Sequence, residues 1–449
     1  MKFLLTFLTF DFLLSSCALA QTTGLISGPW AGNIELRNAT IWAEVSPSIK
    51  KVSVQYSVVG SAFARTVHYD GEPRRNFNTI KIELNGLEIN TKYTYKILLD
   101  GKPATLPYST SFKTKELWEY RTPAPDFNFL AGSCSFFNEP VYDRPGKGYG
   151  KDSSIFNVMA ETPAAMNIWL GDSWYNREVD YSTAWGMAYR VSRDRSMKVV
   201  QKFMSSMPHY FIWDDHDFGP NDAGKSFILK KESREVFKNY TLNPTYGEDG
   251  KGIYTKVSYS DVDFFLTDDR YFRSERRMAD SVDGRPNAAK TYFGPMQMDW
   301  LKNALLFSNA TFKIIASGSQ ILNPVSTAES LQNYSSEYNE LIHFITQHKI
   351  RGIIFLTGDR HHSEVMKLDR PSTYTLYDIT VSPLTASVGT LRGAEINNPT
   401  RIANTLVEAQ NFGNISVTGP KDNRRLKVEF IGLKGDKLAE WQVSASDLK

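Results

Sequence analysis

The stretch Met166-Asn167-Ile168-Trp169-Leu170-Gly171-Asp172-Ser173-Trp174-Tyr175 joins an apolar run to a polar end. The run does not alternate apolar with polar residues, which indicates a strand covered on both faces. Similar runs occupy residues 127–131, 210–213, 264–267, 313–316 and 352–356. Helical periodicity separates them at residues 153–160, 225–240, 295–306 and 338–347. Together they predict a layered α/β domain over residues 126–449.

All but one of these runs end in a polar group of unusual composition, the exception being 313–316. The groups are Gly132-Ser133-Cys134, Gly171-Asp172-Ser173-Trp174-Tyr175, Asp214-Asp215-His216-Asp217 with Asn221 just after, Asp268-Asp269-Arg270, and Gly358-Asp359-Arg360-His361-His362. In open α/β sheets, ligands bind beyond the carboxyl ends of the strands. We therefore expect these side chains to converge on one crevice.

The chemistry of these groups indicates a metal centre. Several carboxylates held together repel one another unless cations neutralise them. Asp, His and Asn are ligands for hard or borderline divalent metals, whereas a thiolate or a phenolate favours iron or zinc. A two-metal site can clamp the attacking and leaving oxygens of a phosphate ester and supply hydroxide at neutral pH. The pattern predicts hydrolysis of phosphate esters by metal-bound hydroxide.

Each group alone also has a purely structural explanation. A Gly-Asp pair at a strand end is commonly a turn or a helix cap, and a lone Cys134 is commonly a buried small hydrophobe. What favours a site is that the groups recur, each directly after a buried run. A non-catalytic, metal-stabilised binding protein is an alternative. The complete set of Asp172, Asp359 and His361 argues against it.

Residues 219–226 match the P-loop pattern G-x-x-x-x-G-K-[ST] after a predicted strand and before a predicted helix. A P-loop nucleoside triphosphatase is therefore a second alternative. Asp222 lies inside this segment, and Asp214, Asp215 and Asp217 precede it. These charges would repel a polyphosphate. The sequence favours the metal centre.

Residues 21–118 have the alternating pattern of an all-β sandwich. The alternation covers residues 39–45, 51–56, 79–84 and 92–97, with turns rich in Gly, Asn and Asp between the runs. Residues 87–95 resemble the corner of fibronectin type III-like modules, with Ile89 in place of the usual proline. A linker at residues 120–125 precedes the α/β region.

Residues 1–20 have the three parts of a secretory signal peptide: Lys2, an apolar core, and the end Ala18-Leu19-Ala20. Leu14-Ser15-Ser16-Cys17 also resembles a bacterial lipobox, which would make Cys17 a lipid anchor. We expect an exported protein that is periplasmic, secreted or an outer-membrane lipoprotein. No later segment is typical of a transmembrane helix.

The net charge and the cysteine content limit the kinds of binding partner and of cross-link that we expect. The chain has 449 residues and a formal net charge of +3, which gives no reason to expect a nucleic-acid-binding domain. Cys17 and Cys134 are its cysteines, so removal of the leader would exclude a disulfide framework. A small phosphate-ester substrate is the expected partner.

The ordered motifs resemble the alkaline phosphatase D (PhoD-like) family of metallophosphoesterases, relatives of the purple acid phosphatases. The matching pieces are Gly132-Ser133-Cys134, Gly171-Asp172-x-x-Tyr175, Trp213-Asp214-Asp215-His216-Asp217 with Asn221, Asp268-Asp269-Arg270, and Gly358-Asp359-Arg360-His361. The resemblance covers about residues 126–385. It implies a metallophosphoesterase-like fold behind the β module and the activity of an alkaline phosphatase or phosphodiesterase.

The resemblance also implies metals and residue roles. Fe(III) would be held by Cys134, Asp172, Tyr175 and a group of the last motif, His361. Ca(II) would share Asp172 and take Asp215, Asn221 and Asp359, with other divalent metals as alternatives. His216 would lie in or near this shell, and Arg270 or Arg360 would hold the substrate phosphate. The chain departs from the family pattern at residues 217–222 and at Arg360, where the family commonly has a small apolar residue.

Overall fold

The computed structural model describes residues 24–72, 76–326 and 329–449. The predicted leader, residues 1–20, and the predicted lipid site at Cys17 lie outside the described residues. Among the residues that are described, no helix combines the length and the apolar character needed to cross a membrane.

The first part of the chain is a sandwich of two antiparallel sheets. Its strands are β1 Leu25–Gly32, β2 Asn38–Val45, β3 Val52–Val58, β4 Arg65–His68, β5 Asn78–Asn85, β6 Lys92–Leu99, β7 Lys102–Pro103 and β8 Ser111–Lys113. One sheet has the order β1-β2-β5, and the other has the order β4-β3-β6-β7 with β8 paired to β6. The Tyr93 hydroxyl accepts a hydrogen bond from the backbone N–H of Glu88 at 2.8 Å, which closes the predicted corner. The predicted all-β sandwich is confirmed.

The rest of the chain alternates strands with helices. Its elements are β9 Phe127–Gly132, α1 Ile155–Glu161, β10 Asn167–Leu170, α2 Ala184–Arg195, α3 Lys198–Ser206, β11 His209–Ile212, α4 Asp215–Phe218, α5 Lys230–Tyr240, β12 Thr255–Tyr259, β13 Val262–Leu266, β14 Ser281–Val282, β15 Arg285–Pro286, α6 Gly294–Phe307, β16 Phe312–Ser317, α7 Ser335–Gln347, β17 Ile353–Thr357, β18 Glu364–Leu368, β19 Leu376–Thr380, β20 Asn411–Thr418, β21 Arg425–Gly432 and β22 Lys437–Ser444. Every predicted apolar run overlaps one of these strands, and no run extends more than one residue beyond its strand.

Apart from β14 and β15, which pair with each other, these strands form two large mixed sheets. The first has the order β11-β10-β9-β20-β21-β22, and the second has the order β12-β13-β16-β17-β19-β18. Strands β9, β10 and β11 are parallel to one another, as are β13, β16, β17 and β19. The buried runs are therefore divided between two sheets, whereas the sequence pattern did not separate them.

The two sheets pack face to face between layers of helices. Phe129 of β9 and Phe264 of β13 meet edge to face, with ring centroids 5.0 Å apart. The next residue on β13, Phe265, points the other way, towards Trp300 of α6 at 6.4 Å. On the first sheet, Trp169 packs against Phe156 of α1 at 5.9 Å. Because both faces of each sheet are covered, the strands do not alternate in polarity.

The segment predicted as a helix from residue 225 is different in the structure. Helix α5 begins at Lys230, and Lys225 lies in the preceding turn, so its predicted position on a helix surface is wrong. Helix α4 stands between β11 and residue 219, so residues 219–226 do not connect a strand to a helix. The P-loop alternative is therefore contradicted by the chain path.

The β sandwich packs directly on the α/β region. Trp30 and Trp42 stack with ring centroids 3.8 Å apart, and the indole N–H of Trp42 donates to the carbonyl of Asn239 at 2.7 Å. Glu44 is fully buried in this contact and accepts from Ser192 Oγ at 2.8 Å and from the Tyr240 hydroxyl at 3.0 Å. Burial raises the pKa of Glu44.

Candidate metal centre

The predicted side chains follow the carboxyl ends of strands from both sheets. Cys134 follows β9, Asp172 follows β10, Asp215 opens α4 after β11, and His361 follows β17. The two sheets meet closely at this edge, where Gly358 lies against β10. A Cβ on Gly358 would stand 2.4 Å from the carbonyl oxygen of Leu170, so a side chain would prevent this approach.

Two overlapping donor groups form at this edge among the described residues. Ligand atoms of Cys134, Asp172 and His361 lie within 4.8 Å of one another, and so do those of Asp172, Asp215 and His216. Asp172 belongs to both groups, which is the arrangement expected of a carboxylate shared between two cations. The two groups draw on the ends of four different strands.

The two histidines are oriented as neutral ligands. His361 Nδ1 lies 2.6 Å from the carbonyl oxygen of Ser387, which only accepts, so Nδ1 carries the hydrogen and Nε2 keeps a lone pair. His216 Nδ1 is buried without a hydrogen-bond partner among the described residues. Burial lowers the pKa of both His361 and His216, which favours the neutral rings that bind metals.

The acidic groups are costly to ionise in this site without a cation. Burial, with the charges of Asp215 and Cys134, raises the pKa of Asp172 well above its usual value. Burial also raises the pKa of Cys134 to about 11 and that of Asp359 to about 6. Tyr175 is buried, and burial raises its pKa well above its usual value. Bound cations reverse this penalty by favouring the deprotonated forms, so the donor set fits metal ions.

The carboxylate of Asp217 holds neighbouring strand ends of the site together through hydrogen bonds. It accepts backbone N–H groups from Ser173 at 2.7 Å and Asp214 at 2.9 Å, and it also accepts the N–H of Asp172. One side chain therefore ties the end of β10 to the end of β11. Because its oxygens are occupied by these donors, Asp217 is a support for the ligands.

Several of the gathered residues have left-handed backbone conformations. The φ angles are 61° at Cys134, 52° at Asp172, 66° at Asp359 and 57° at His361. Such conformations cost about 1–3 kcal/mol each for residues other than glycine, and they concentrate at functional sites. The strand ends therefore turn sharply at the residues that carry the chemistry.

Arg270 is one of the two arginines that the motifs suggest for the substrate phosphate. Its side chain is fully buried and pairs with Asp214 and with Glu329. Arg273 pairs with the same Glu329 carboxylate. No local sequence pattern predicts this pairing, because Glu329 lies far from both arginines along the chain. Arg270 is a buried support under the site.

The other predicted residues, Arg360, Asp359 and Asn221, lie outside the two donor groups. Arg360 donates to Glu395 Oε1 at 2.5 Å, and its guanidinium is 3.8 Å from the Asp359 carboxylate. Asp359 is close enough that its charge raises the pKa of Asp172 and of Cys134. Asn221 is exposed in the loop after α4, next to Asp222, whose N–H donates to Asp215 at 2.8 Å.

Sequence reasoning missed Tyr149. Its hydroxyl lies 3.2 Å from His361 Nε2, although the residue is in a loop and follows no buried run. The available signal was the sequence Gly148-Tyr149-Gly150, in which glycines flank a lone aromatic residue.

Two mixed sheets between helical layers, with carboxylates and imidazoles at the strand ends, define a metallophosphoesterase-like fold. The PhoD-like phosphatase family matches residues 129–426, and a domain family of unknown function (DUF7800) matches residues 22–117. The chain therefore belongs to the PhoD-like phosphatase family, as its motifs predicted.

One curated relative and two solved structures are similar to this chain. Alkaline phosphatase D of Bacillus subtilis (strain 168) is 22% identical over 330 residues, which are 64% of this chain and 54% of the relative. The chain thus spans about half the length of this curated relative. The solved structure of PhoD superposes with a TM-score of 0.74 at 18% identity, covering 95% of this chain and 92% of that one. Purple acid phosphatase PPD1 from yellow lupin (Lupinus luteus) seeds gives 0.64 at 12% identity, covering 93% and 74%.

Proposed function

We propose that this chain is an exported, metal-dependent phosphoric ester hydrolase, an alkaline phosphatase or phosphodiesterase. The observation that carries the proposal is the position of Asp172 in two donor groups at once. Membership of the PhoD-like phosphatase family supports it. In this proposal, residues 21–118 form the β-sandwich domain and residues 126–449 form the catalytic domain.

The donor types suggest which residues hold which metal. Cys134, Asp172, Tyr175 and His361 would hold Fe(III), because a thiolate and a phenolate suit this ion. Asp172, Asp215, Asn221 and Asp359 would hold Ca(II), which prefers oxygen ligands, with His216 close by. Such ions neutralise a phosphate ester and activate water when they are bound.

The protein's own groups prepare this centre. Ser387 fixes the tautomer of His361, and Asp217 fixes the turn that presents Asp172. Arg360 is the guanidinium that we propose for the substrate phosphate, since the Arg360 Nε atom has no hydrogen-bond partner within the described residues. Arg270 supports Asp214 from the core.

Release of nitrophenol from mono- and bis-nitrophenyl phosphate tests the activity. The rate of hydrolysis of both esters is measured before chelation, after chelation with metal loss verified, and after the metals are restored. We expect turnover to disappear with the metals and to return with them. Full activity in excess chelator contradicts the metal centre. A fully metal-loaded protein that cleaves neither ester favours a non-catalytic binding protein.

Export is the second part of the proposal, and it rests on the pattern of residues 1–20. Metabolic labelling with palmitate separates the two processing routes. Label that disappears in Cys17→Ser indicates a lipoprotein, whereas an unlabelled protein that begins at Gln21 indicates ordinary cleavage. Protein that retains residues 1–20 in the cytoplasm contradicts export.

A further inference from the structure

Tyr149 lies in the loop between β9 and α1, beside the candidate metal centre. Hydrogen bonds fix the backbone of this loop at Tyr149 and at Gly150. The Asn138 side chain donates to the carbonyl of Gly150 at 2.8 Å and accepts the Gly150 N–H at 2.9 Å. The Tyr149 carbonyl accepts from Ser387 Oγ at 2.7 Å. Ser387 also orients His361 through its own carbonyl. The backbone of Tyr149 is thus fixed to the segment that orients a metal ligand.

The side chain of Tyr149 reaches from solvent to the donor groups. The residue is 40% exposed, and its ring meets the ring of Phe136 edge to face at 4.9 Å. Phe136 in turn lies under the Arg177 guanidinium at 3.9 Å. The hydroxyl of Tyr149 ends 3.2 Å from Nε2 and 3.3 Å from Nδ1 of His361. Packing therefore holds the ring with its hydroxyl directed inwards.

His361 cannot be the lasting acceptor of this hydroxyl. Its Nδ1 already donates to Ser387, so it has no lone pair to offer. Its Nε2 lone pair is the one available to a metal. With a metal on Nε2, the Tyr149 O–H is a donor without an acceptor on that ring. Tyr149 is on the solvent side of the site, because it is 40% exposed whereas Tyr175 is only 2% exposed.

We propose that Tyr149 is a substrate-contacting residue whose phenol donates a hydrogen bond to a phosphoryl oxygen of the ester. The inference rests on the proposed function, because a phosphoryl group is the oxygen-rich acceptor which that function brings to this position. A neutral donor suits this place, since it adds a hydrogen bond without competing with the metals for the carboxylates.

The substitution Tyr149→Phe tests the inference, because it removes the hydroxyl and keeps the ring on Phe136. Tyr142→Phe is the matched control, since Tyr142 lies on the same loop and is 43% exposed. The measurements are metal content, calorimetric binding of inorganic phosphate to the metal-loaded protein, and KM and kcat for nitrophenyl phosphate. We expect Tyr149→Phe to bind phosphate about tenfold more weakly and to raise KM about tenfold, as for one lost hydrogen bond to a charged acceptor. Its metal content and the control should match the wild type.

The alternative outcomes separate this inference from the proposed function. Unchanged phosphate binding in Tyr149→Phe, in a protein whose wild type cleaves the ester, overturns the contact alone. Loss of metal in Tyr149→Phe also overturns it, because the residue would then act by holding the centre. A wild type that binds phosphate through Tyr149 without cleaving esters supports the contact and overturns the hydrolase. A metal-loaded wild type that neither binds nor cleaves overturns both.

Discussion

Asp172 combines a shared carboxylate with a left-handed backbone, and the two properties can be separated by substitution. Asparagine adopts a φ of 52° as readily as aspartate does, so Asp172→Asn keeps the shape of the turn. It removes the charge on which both donor groups depend. We expect loss of metal and at least about a hundredfold lower turnover, with the fold retained.

Elemental analysis, ester hydrolysis and circular dichroism check this outcome for Asp172→Asn. Asp283→Asn is the matched control, because Asp283 is exposed and also left-handed, with a φ of 51°. Metal content and rates close to wild type in Asp172→Asn would contradict the shared-ligand role.

Cys134 and Tyr175 distinguish a ferric site from a site of carboxylates and histidines. Both are buried, and burial raises the pKa of each, so each binds well only opposite a strongly Lewis-acidic cation. A thiolate or phenolate on Fe(III) absorbs visible light. We expect coloured protein, with the band lost or shifted in Cys134→Ser and Tyr175→Phe. An active, colourless protein that contains no iron would refute the iron assignment and leave the carboxylate site standing.

For individual residues, the sequence predicted that Cys134, Asp172 and His361 lie at strand ends. Each of them follows a strand that can be recognised from the strand's apolar composition. The sequence did not predict the environment of Arg270, since the pairing with Glu329 joins residues that only the tertiary fold brings together. Tyr149 was missed for a related reason: its loop is closed by Asn138 and Gly150, and neither carries a periodic signal.

At the scale of elements, strands were more predictable than helices. The apolar runs marked the central strands, whereas helix α2 buries Arg190, Asp194 and Arg195 beside Met187 and Val191. Buried charged residues interrupt the apolar stripe of such a helix, which weakens the periodic signal. The division into two sheets was equally hidden, because a strand's own sequence does not specify which neighbour it pairs with.

The loop before α5 contains residues 219–226, which match the sequence pattern of a nucleotide-binding P-loop. Substitution of Lys225 tests whether this loop has such a role. Lys225 donates to Ser274 Oγ at 2.7 Å and to Thr291 Oγ1 at 3.2 Å, so it fastens a loop instead of facing a phosphate. We expect Lys225→Ala to keep ester hydrolysis within about threefold and to lower stability by only about 0.5–1.5 kcal/mol through the lost hydrogen bonds, because Lys225 is exposed. Kinetics and urea denaturation measure the two effects. A loss as large as that of Asp172→Asn, accompanied by ATP binding, would revive the nucleotide-site interpretation.

For the whole molecule, Glu44 makes the contact between sandwich and α/β region sensitive to pH. Burial raises its folded pKa, so its contribution to the free energy of unfolding is fully present below about pH 4.3, the ordinary glutamate value. That contribution is lost as the pH rises through the folded pKa. We expect Glu44→Gln, which stays neutral, to gain stability relative to the wild type across this range, by up to about 1.4 kcal/mol per pH unit.

Urea denaturation at a series of pH values measures the gain in Glu44→Gln. Glu235→Gln on α5 is the control, because the Glu235 side chain is 57% exposed. Parallel curves of stability against pH for the wild type and Glu44→Gln would show that this carboxylate does not titrate on unfolding.

The left-handed turns at Cys134, Asp172, Asp359 and His361 also restrict which residue types can replace these four residues during evolution. Valine, isoleucine and threonine are nearly excluded there by their branched β-carbon, whatever the chemistry requires. A lineage that lost the activity would be released from needing a carboxylate or a thiol, yet it would still need residues that accept this backbone. Decay of the site should therefore proceed towards glycine and asparagine, and a relative with those residues at these four positions would be recognisable as a former enzyme.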